Sequence, residues 1–239
     1  YVTEWDGHRL RRIAADGTST TFAGNGFGGW ADGPKDKAQF YYPGDVAVAA
    51  GGVIHVADLN NFRIRSIDKN GIVSTLAGGT YGFAEGKGAA ARFSYPYGLA
   101  VNSAGVVYVA DFNNHRIRKV APDGTVSTLA GSTGGYLDGQ GSGARFLNPT
   151  GVAVDDAGNV LVADYNNHRI RRISAEGVVT TLAGSGVAGY QDGVAAASRF
   201  NHPWGLDVDS AGNIFIADHS NVRIRKLSAA GIVTLFAGN

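Results

Sequence analysis

The sequence contains no cysteine and no methionine, and only 17% of its 239 residues are charged. Without cysteine the chain has no disulfide, no thiolate metal site and no cysteine nucleophile. The formal net charge of +1 is too small to favour nucleic-acid binding or a polybasic membrane anchor. No apolar run approaches the roughly 18 residues that span a bilayer. Glycine, by contrast, is abundant at 36 residues and indicates many tight turns.

A twelve-residue motif recurs along the chain and defines a repeat of about 53 residues. Its clearest copies are VADFNNHRIRKV at 109–120 and VADYNNHRIRRI at 162–173, and three looser copies also occur. The acidic residue of the motif falls at Glu4, Asp58, Asp111, Asp164 and Asp218. A proline keeps the same interval at Pro43, Pro96, Pro149 and Pro203. Such a period predicts an array of similar supersecondary units.

One period, from Pro149 to Pro203, predicts four short β-strands joined by tight turns. The strand-like runs are TGVAVDD, VLVAD, RIRRI and VVTTLAG. A longer connection follows, and its Ala-rich stretch predicts one helical turn with Asp192 as N-cap. Four-stranded antiparallel units at this period are typical of β-propeller blades, which bury their faces against neighbouring blades.

We therefore predict an all-β fold with one propeller domain over residues 1–239. Four blades are complete, at about 43–78, 96–131, 149–184 and 203–238, with long loops between them, and residues 1–25 supply three strands of another. This division gives nineteen strands. Because the chain begins at Tyr1 and inside a repeat, we expect it to be part of a longer protein. A missing segment or another chain would then complete the ring.

The stretch NPTGVAVDDAGNVLVADYNNHRIRRI resembles an NHL repeat, a family named for an Asn-His-Leu signature. This chain has Asn-His-Arg instead, at 114–116 and 167–169, and the resemblance covers nearly its whole length. The resemblance implies a β-propeller, for which six blades are common; a five-bladed ring lacking one inner strand is the alternative. It also implies a platform for proteins, RNA or ligands, with a few related enzymes.

The recurring polar residues are interpreted as scaffold. Asp58 is expected to pair with Arg63 or Arg65 across one hairpin, and the pair should repeat in each blade. The second Asn of the motif is replaced by Gly7 in the first copy, which predicts a left-handed backbone there. The alternative role for the recurring arginines is to bind an anionic polymer, which the near-neutral net charge of the chain disfavours.

Metal binding is not expected at the recurring histidines, and we predict no cofactor. His8, His115 and His168 share a repeat position with Phe62 and Val222, which favours a packing role. Four connecting loops each carry one carboxylate next to an aromatic ring. Calcium needs six to eight oxygens, so these carboxylates are interpreted as helix caps and the rings as loop anchors. The carboxylates are Asp32, Glu85, Asp138 and Asp192, and the rings are Trp30, Phe83, Tyr136 and Tyr190.

Function is expected where the copies differ, on loops held by the repeated frame. The differing positions flank each repeat proline, before the channel-lining first strand, and open each turn between the second and third strands. They are rich in aromatic rings, histidine and asparagine, which is typical of binding surfaces, although single rings there could simply pack the loops. The candidate ligand-binding residues are Tyr42, Tyr95, Tyr97, Asn148, His202, Trp204, Phe112, Tyr165 and His219.

The sequence favours a non-catalytic platform that binds a protein, a peptide or a glycan. The alternatives are a metal-dependent lyase or hydrolase at the channel mouth, an RNA-binding domain, and a structural part of a larger assembly. No paired carboxylates or histidine cluster recur on several inner strands, so no catalytic residue is assigned. The composition is compatible with export, and an extracellular or periplasmic location is favoured.

Overall fold

The structure is a computed structural model that describes all residues from Tyr1 to Asn239. It is all-β, as predicted, and contains 3-10 turns but no α-helix. No helix is long and apolar enough to cross a membrane.

The 3-10 turns are Leu59–Asn61, Gly88–Ala90, Phe112–Asn114, Gly141–Gly143, Tyr165–Asn167, Ala195–Ala197 and His219–Asn221. The strands are β1 Val2–Glu4, β2 Arg9–Ile13, β3 Ser19–Ala23, β4 Gly33–Pro34, β5 Pro43–Val48, β6 Ile54–Asp58, β7 Arg63–Ile67, β8 Ile72–Gly78, β9 Gly86–Lys87, β10 Pro96–Val101, β11 Val107–Asp111, β12 Arg116–Val120, β13 Thr125–Gly131, β14 Gly139–Gln140, β15 Pro149–Val154, β16 Val160–Asp164, β17 Arg169–Ile173, β18 Val178–Ala183, β19 Gly193–Val194, β20 Pro203–Val208, β21 Ile214–Asp218, β22 Arg223–Leu227 and β23 Ile232–Ala237.

The strands form five antiparallel sheets, which are the blades of a β-propeller. The first sheet has three strands in the order β1-β2-β3, and the other four have five strands each. All nineteen predicted strands are present, but the prediction of four-stranded blades was wrong in one detail. The connection before each complete blade adds a two-residue strand to its outer edge, as β14 does by pairing with β18. The chain thus forms four complete blades and one three-stranded sheet, as the division of the sequence predicted, which is one blade fewer than the six that are common in the family.

The apolar core lies between the faces of consecutive blades. In β16 all five residues of VLVAD are buried, because both faces of the strand are covered. Ile170 and Ala183 of one blade pack with Ile214, Ile216 and Leu227 of the next. Each complete blade is preceded by a fully buried phenylalanine, at Phe40, Phe93, Phe146 and Phe200. Neighbouring blades therefore stabilise one another, as expected for a repeat protein.

The chain divides into two compact units. The first comprises residues 1–109 and 119–127, and the second comprises 110–118 and 128–239.

The left-handed residue of each motif is one position later than predicted. Positive φ angles of 54° occur at Phe62, His115, His168 and Val222, which follow the Asn. The Asn side chain is held by hydrogen bonds instead, because Asn167 Nδ2 donates to Asp164 Oδ2 over 2.9 Å. In the first copy a Cβ at Gly7 would lie 2.7 Å from the longer side chain of Glu4. Gly7 has no positive φ, so a left-handed backbone does not explain the glycine.

Val222 is a β-branched residue in a left-handed conformation, and its side chain is 80% exposed. Because asparagine tolerates this conformation better, we expect Val222→Asn to raise the free energy of unfolding by about 1 kcal/mol. Urea unfolding of the purified chain measures this change. Val178→Asn, in the exposed start of β18, is the matched control and should give no gain. An equal or lower stability of Val222→Asn would contradict a strained backbone at this residue.

Candidate functional site

A buried polar network lies beneath the candidate loops of the second unit. Arg171 Nη1 donates to Asp164 Oδ2 over 2.6 Å, and both side chains are fully buried. The other oxygen of Asp164 accepts the backbone N–H of Leu147 over 2.8 Å, which ties the loop before β15 to the end of β16. Burial raises the pKa of Asp164 to about 6 despite these bonds. The network therefore fixes the loop and compensates its own charges.

The partner of the buried aspartate is the second arginine of each motif. The sequence alone left open whether the first or the second arginine forms this pair. Arg65 Nη1 bonds Asp58 over 2.7 Å, and the same contact is present at Arg118–Asp111 and Arg225–Asp218. The first arginine lies over the aromatic ring of the long loop, at 3.8 Å for Arg63 over Trp30. Arg169 over Tyr136 and Arg223 over Tyr190 repeat this cation–π contact, so these rings anchor the loops.

The loop carboxylates are not helix caps, and this part of the prediction was wrong. Val194 precedes the 3-10 turn Ala195–Ala197, and no side chain caps it. Asp192 instead accepts hydrogen bonds from Arg225 and from the backbone N–H of Leu235. Asp138 with Arg171 and Asp32 with Arg65 show the same arrangement. These arginines are fully buried, so a second carboxylate beside each guanidinium offsets part of the cost of removing its charge from water. This contact, and not the capping of a turn, explains the loop carboxylates.

Four rings stand side by side above this network in the second unit, and we call them the aromatic row: Phe112, Tyr165, Trp204 and His219. The ring centroids of neighbours are 6.4 Å apart for Phe112–Tyr165, 5.4 Å for Tyr165–Trp204 and 5.5 Å for Trp204–His219. Three of the rings open 3-10 turns, and Trp204 follows the repeat proline at the start of β20. His219 is exposed and the other three are half-buried, so the row presents ring surface to solvent.

His202 extends the row at the loop before β20. Its ring lies 4.6 Å from that of Tyr165, and its Nδ1 lies 3.1 Å from the hydroxyl of Ser220. The backbone N–H of His202 donates to Nδ1 of His168 over 3.1 Å. Burial lowers the pKa of His168, which favours its neutral form. The recurring histidine is thus a structural acceptor for the next loop, and the variable His202 keeps a half-exposed ring.

Asparagine amides border the row on its Phe112 side. Asn148 Nδ2 donates to the carbonyl oxygen of Phe112 over 3.3 Å, and Asn166 Nδ2 donates to Asn148 Oδ1 over 3.0 Å. Thr150, in the next variable position, is buried and donates to the carbonyl oxygen of Trp204 over 2.7 Å. It therefore supports the row from below rather than contacting a ligand.

The predicted residues of the first unit form two other clusters. Trp5 stacks on Tyr97 with centroids 5.8 Å apart and contacts Tyr42 at 5.7 Å. Tyr95 packs instead with Phe62 and Tyr81, at 5.4 and 6.0 Å. Of the nine candidate residues, the structure brings together the six that lie in the second unit. Their chemical role stays a prediction.

The side chains of the aromatic row and its border are rings, imidazoles and amides, and the Asp–Arg pairs Asp164–Arg171 and Asp218–Arg225 are buried. No group of three histidine, aspartate or glutamate side chains is placed to hold a metal ion. The arrangement can stack on flat or apolar groups and hydrogen-bond through amides and imidazoles.

Asn166, His168 and Ser220 support this site, and sequence reasoning did not assign them to it. A signal existed for His168, which recurs in the motif, but it was interpreted only as packing. Asn166 and Ser220 occupy the same turn position, which holds Asn in the other complete blades as well, so only Ser220 departs from the pattern and the signal was weak.

Comparison with known proteins supports the repeat assignment. The family model described as NHL repeat matches residues 93–120, 146–173 and 200–227. The NHL repeat-containing protein 2 of Bos taurus is 36% identical over 153 residues, which are 57% of this chain and 21% of that protein. The chain spans less than a quarter of the length of the curated relatives it matches.

Two solved structures share the fold. A Bacteroides thetaiotaomicron protein of unknown function is 24% identical with a TM-score of 0.73, and the match covers 93% of this chain and 54% of that one. Virginiamycin B lyase from Staphylococcus aureus is 14% identical with a TM-score of 0.61, and the match covers 99% and 65%. At these identities the likeness concerns the fold alone.

Proposed function

Since this chain belongs to the NHL-repeat family of β-propellers, we propose that it is a non-catalytic binding platform for a protein, a peptide or a glycan. The observation that carries the proposal is the aromatic row, which exposes adjacent rings on loops fixed by buried ion pairs. A preorganised surface loses little side-chain entropy on binding, and rings with a polar group are enriched at interaction hot spots.

The binding residues proposed for the second unit are Phe112, Asn148, Tyr165, His202, Trp204 and His219. Tyr42, Tyr95 and Tyr97 are proposed as binding residues of the first unit taken by itself. The absence of surface charge in the row favours a partner whose contacting groups are uncharged, since a charged group would lose hydration without gaining a counterion. This is also why RNA, whose phosphates require cations, is the weaker candidate. The alternative of a metal-dependent lyase or hydrolase would need a cluster of metal-binding side chains, and no group of three histidine, aspartate or glutamate residues stands together in the structure.

The test is affinity capture from an extract and the medium of the source organism, with Tyr165→Ala/Trp204→Ala beside the unmodified chain. Removing two adjacent rings from the centre of the row should reduce recovery of a partner more than tenfold, because central aromatic residues contribute most binding energy at interfaces. An immobilised panel of uncharged glycans, probed with the same two proteins, tests the glycan case directly.

The matched control is Tyr136→Ala/Tyr190→Ala, which removes two exposed rings from the long loops of the same unit. This variant should recover the partner as the unmodified chain does. Equal recovery by all three proteins, or loss only in the control, would show that the aromatic row is not the binding surface.

A further inference from the structure

A cavity of about 600 Å³ lies in the first unit. Its walls are the turns that join first to second strands and third to fourth strands, including Val53, Gly105 and Pro122. Its volume is in the range of about 300–1,000 Å³ that is usual for small-molecule sites. His55 and Ser66, on β6 and β7, line it.

The repeats show that these two residues are exceptional. His55 and Ser66 are direct cross-strand partners. In the other complete blades the same pair of positions holds an aromatic or aliphatic residue opposite a long cation: Tyr108 with Lys119, Leu161 with Arg172, and Phe215 with Lys226. Both departures therefore fall in one blade and face each other.

The cavities at these two equivalent positions differ in volume. In the second unit the equivalent cavity is lined by Leu161 and Arg172 and has a volume of about 290 Å³. The cavity at His55 and Ser66 is about twice as large. Arg172, whose side chain is exposed, lines the smaller cavity at the position that Ser66 occupies in the larger one.

The pair offers hydrogen bonding without charge. His55 is 6% exposed, and its Nδ1 lies 2.9 Å from the hydroxyl oxygen of Ser66. Burial lowers the pKa of His55, so the imidazole is neutral and has one donor and one acceptor nitrogen. At the rim, the carboxylate of Asp123 is engaged by Lys87 Nζ at 3.0 Å, so its charge is compensated. Val53, Leu76 and Pro122 supply an apolar wall.

We propose that this cavity binds a small uncharged alcohol or phenol. The hydroxyl group of the ligand would bond to the His55–Ser66 pair, and its apolar part would lie against Val53, Leu76 and Pro122. A charged ligand would find no free counterion on these walls, and a purely apolar one would leave the remaining hydrogen-bonding capacity of the pair unused. The site is independent of the aromatic row, since it shares no residue with it.

The test uses phenol as the probe and the full chain, with calorimetry for affinity and the imidazole NMR signal of His55 for location. Phenol should bind and shift the His55 signal. Toluene, which lacks the hydroxyl, and benzoate, which is charged, should bind at least about tenfold more weakly, the effect of one lost hydrogen bond or an unpaired charge.

His55→Leu/Ser66→Arg installs the pair that the fourth blade already carries, and it should weaken phenol binding at least about tenfold because it removes both hydrogen-bonding groups from the cavity. Ser66→Ala keeps the cavity open and removes only one hydroxyl. A smaller loss of phenol affinity in this variant, with the fold retained, would show that the effect concerns binding and not stability. No binding of phenol, equal binding of toluene, or equal affinity of the double variant would each overturn the proposal.

Discussion

Replacement of Arg171 by alanine should lower the free energy of unfolding by about 3–5 kcal/mol, the range for a broken buried ion pair. The guanidinium is fully buried and donates to Asp164, Asp138 and the carbonyl oxygens of Leu137 and Arg145. Without it Asp164 would remain buried with its charge uncompensated, and burial already raises the pKa of this carboxyl to about 6. The loss of stability therefore comes mostly from the buried carboxylate that is left without its counterion.

The control for this variant is Arg172→Ala, the next residue of β17, whose side chain is exposed. Urea unfolding of both variants should show a change below about 0.5 kcal/mol for Arg172→Ala, as is usual at exposed sites. If Arg171→Ala cost no more than its neighbour, the interpretation of the repeated Asp–Arg pair as scaffold would be wrong.

Phe200→Ala should be similarly severe, with a loss of about 3–5 kcal/mol, because the deleted ring leaves a cavity. Phe200 is fully buried in the cluster with Ile170, Ile214 and Leu227. Its ring also lies 5.3 Å from the guanidinium of Arg225, so the substitution removes a cation–π contact as well.

Phe27→Ala removes the same side chain where it is 73% exposed, and its unfolding midpoint in urea should stay close to that of the unmodified chain. A loss at Phe200 as small as at Phe27 would mean that the connection does not contribute to packing between blades.

The strands of the fold were predictable because each repeat alternates apolar and polar residues at the same spacing. The two-residue strands such as β14 were not, since glycine-rich pairs carry no side-chain periodicity. The prediction placed the left-handed residue one position too early. The residue type gives no signal for the correct position, because residues as different as Phe62, His168 and Val222 have the same positive φ there. In these copies backbone geometry is imposed by the closing of the turn, not by the residue type.

The candidate site was predictable in part, because variation among copies identifies positions that the scaffold does not fix. This variation identified Tyr165, Trp204 and His219, whose rings are adjacent in the structure. It could not separate them from Tyr95, which packs in another cluster, because sequence spacing does not give side-chain direction. The same rule applied to β6 and β7 would have found His55 and Ser66, whose pairing depends on strand register.

The central claim is that the aromatic row is the surface that contacts a partner. Site-specific photo-crosslinking tests it most directly, with benzoylphenylalanine placed at Tyr165 in one protein and at Tyr190 in another. We expect crosslinks to a partner from position 165 and few from position 190, whose ring belongs to the scaffold through Arg223. Crosslinks mainly from position 190, or equally from both, would contradict the account.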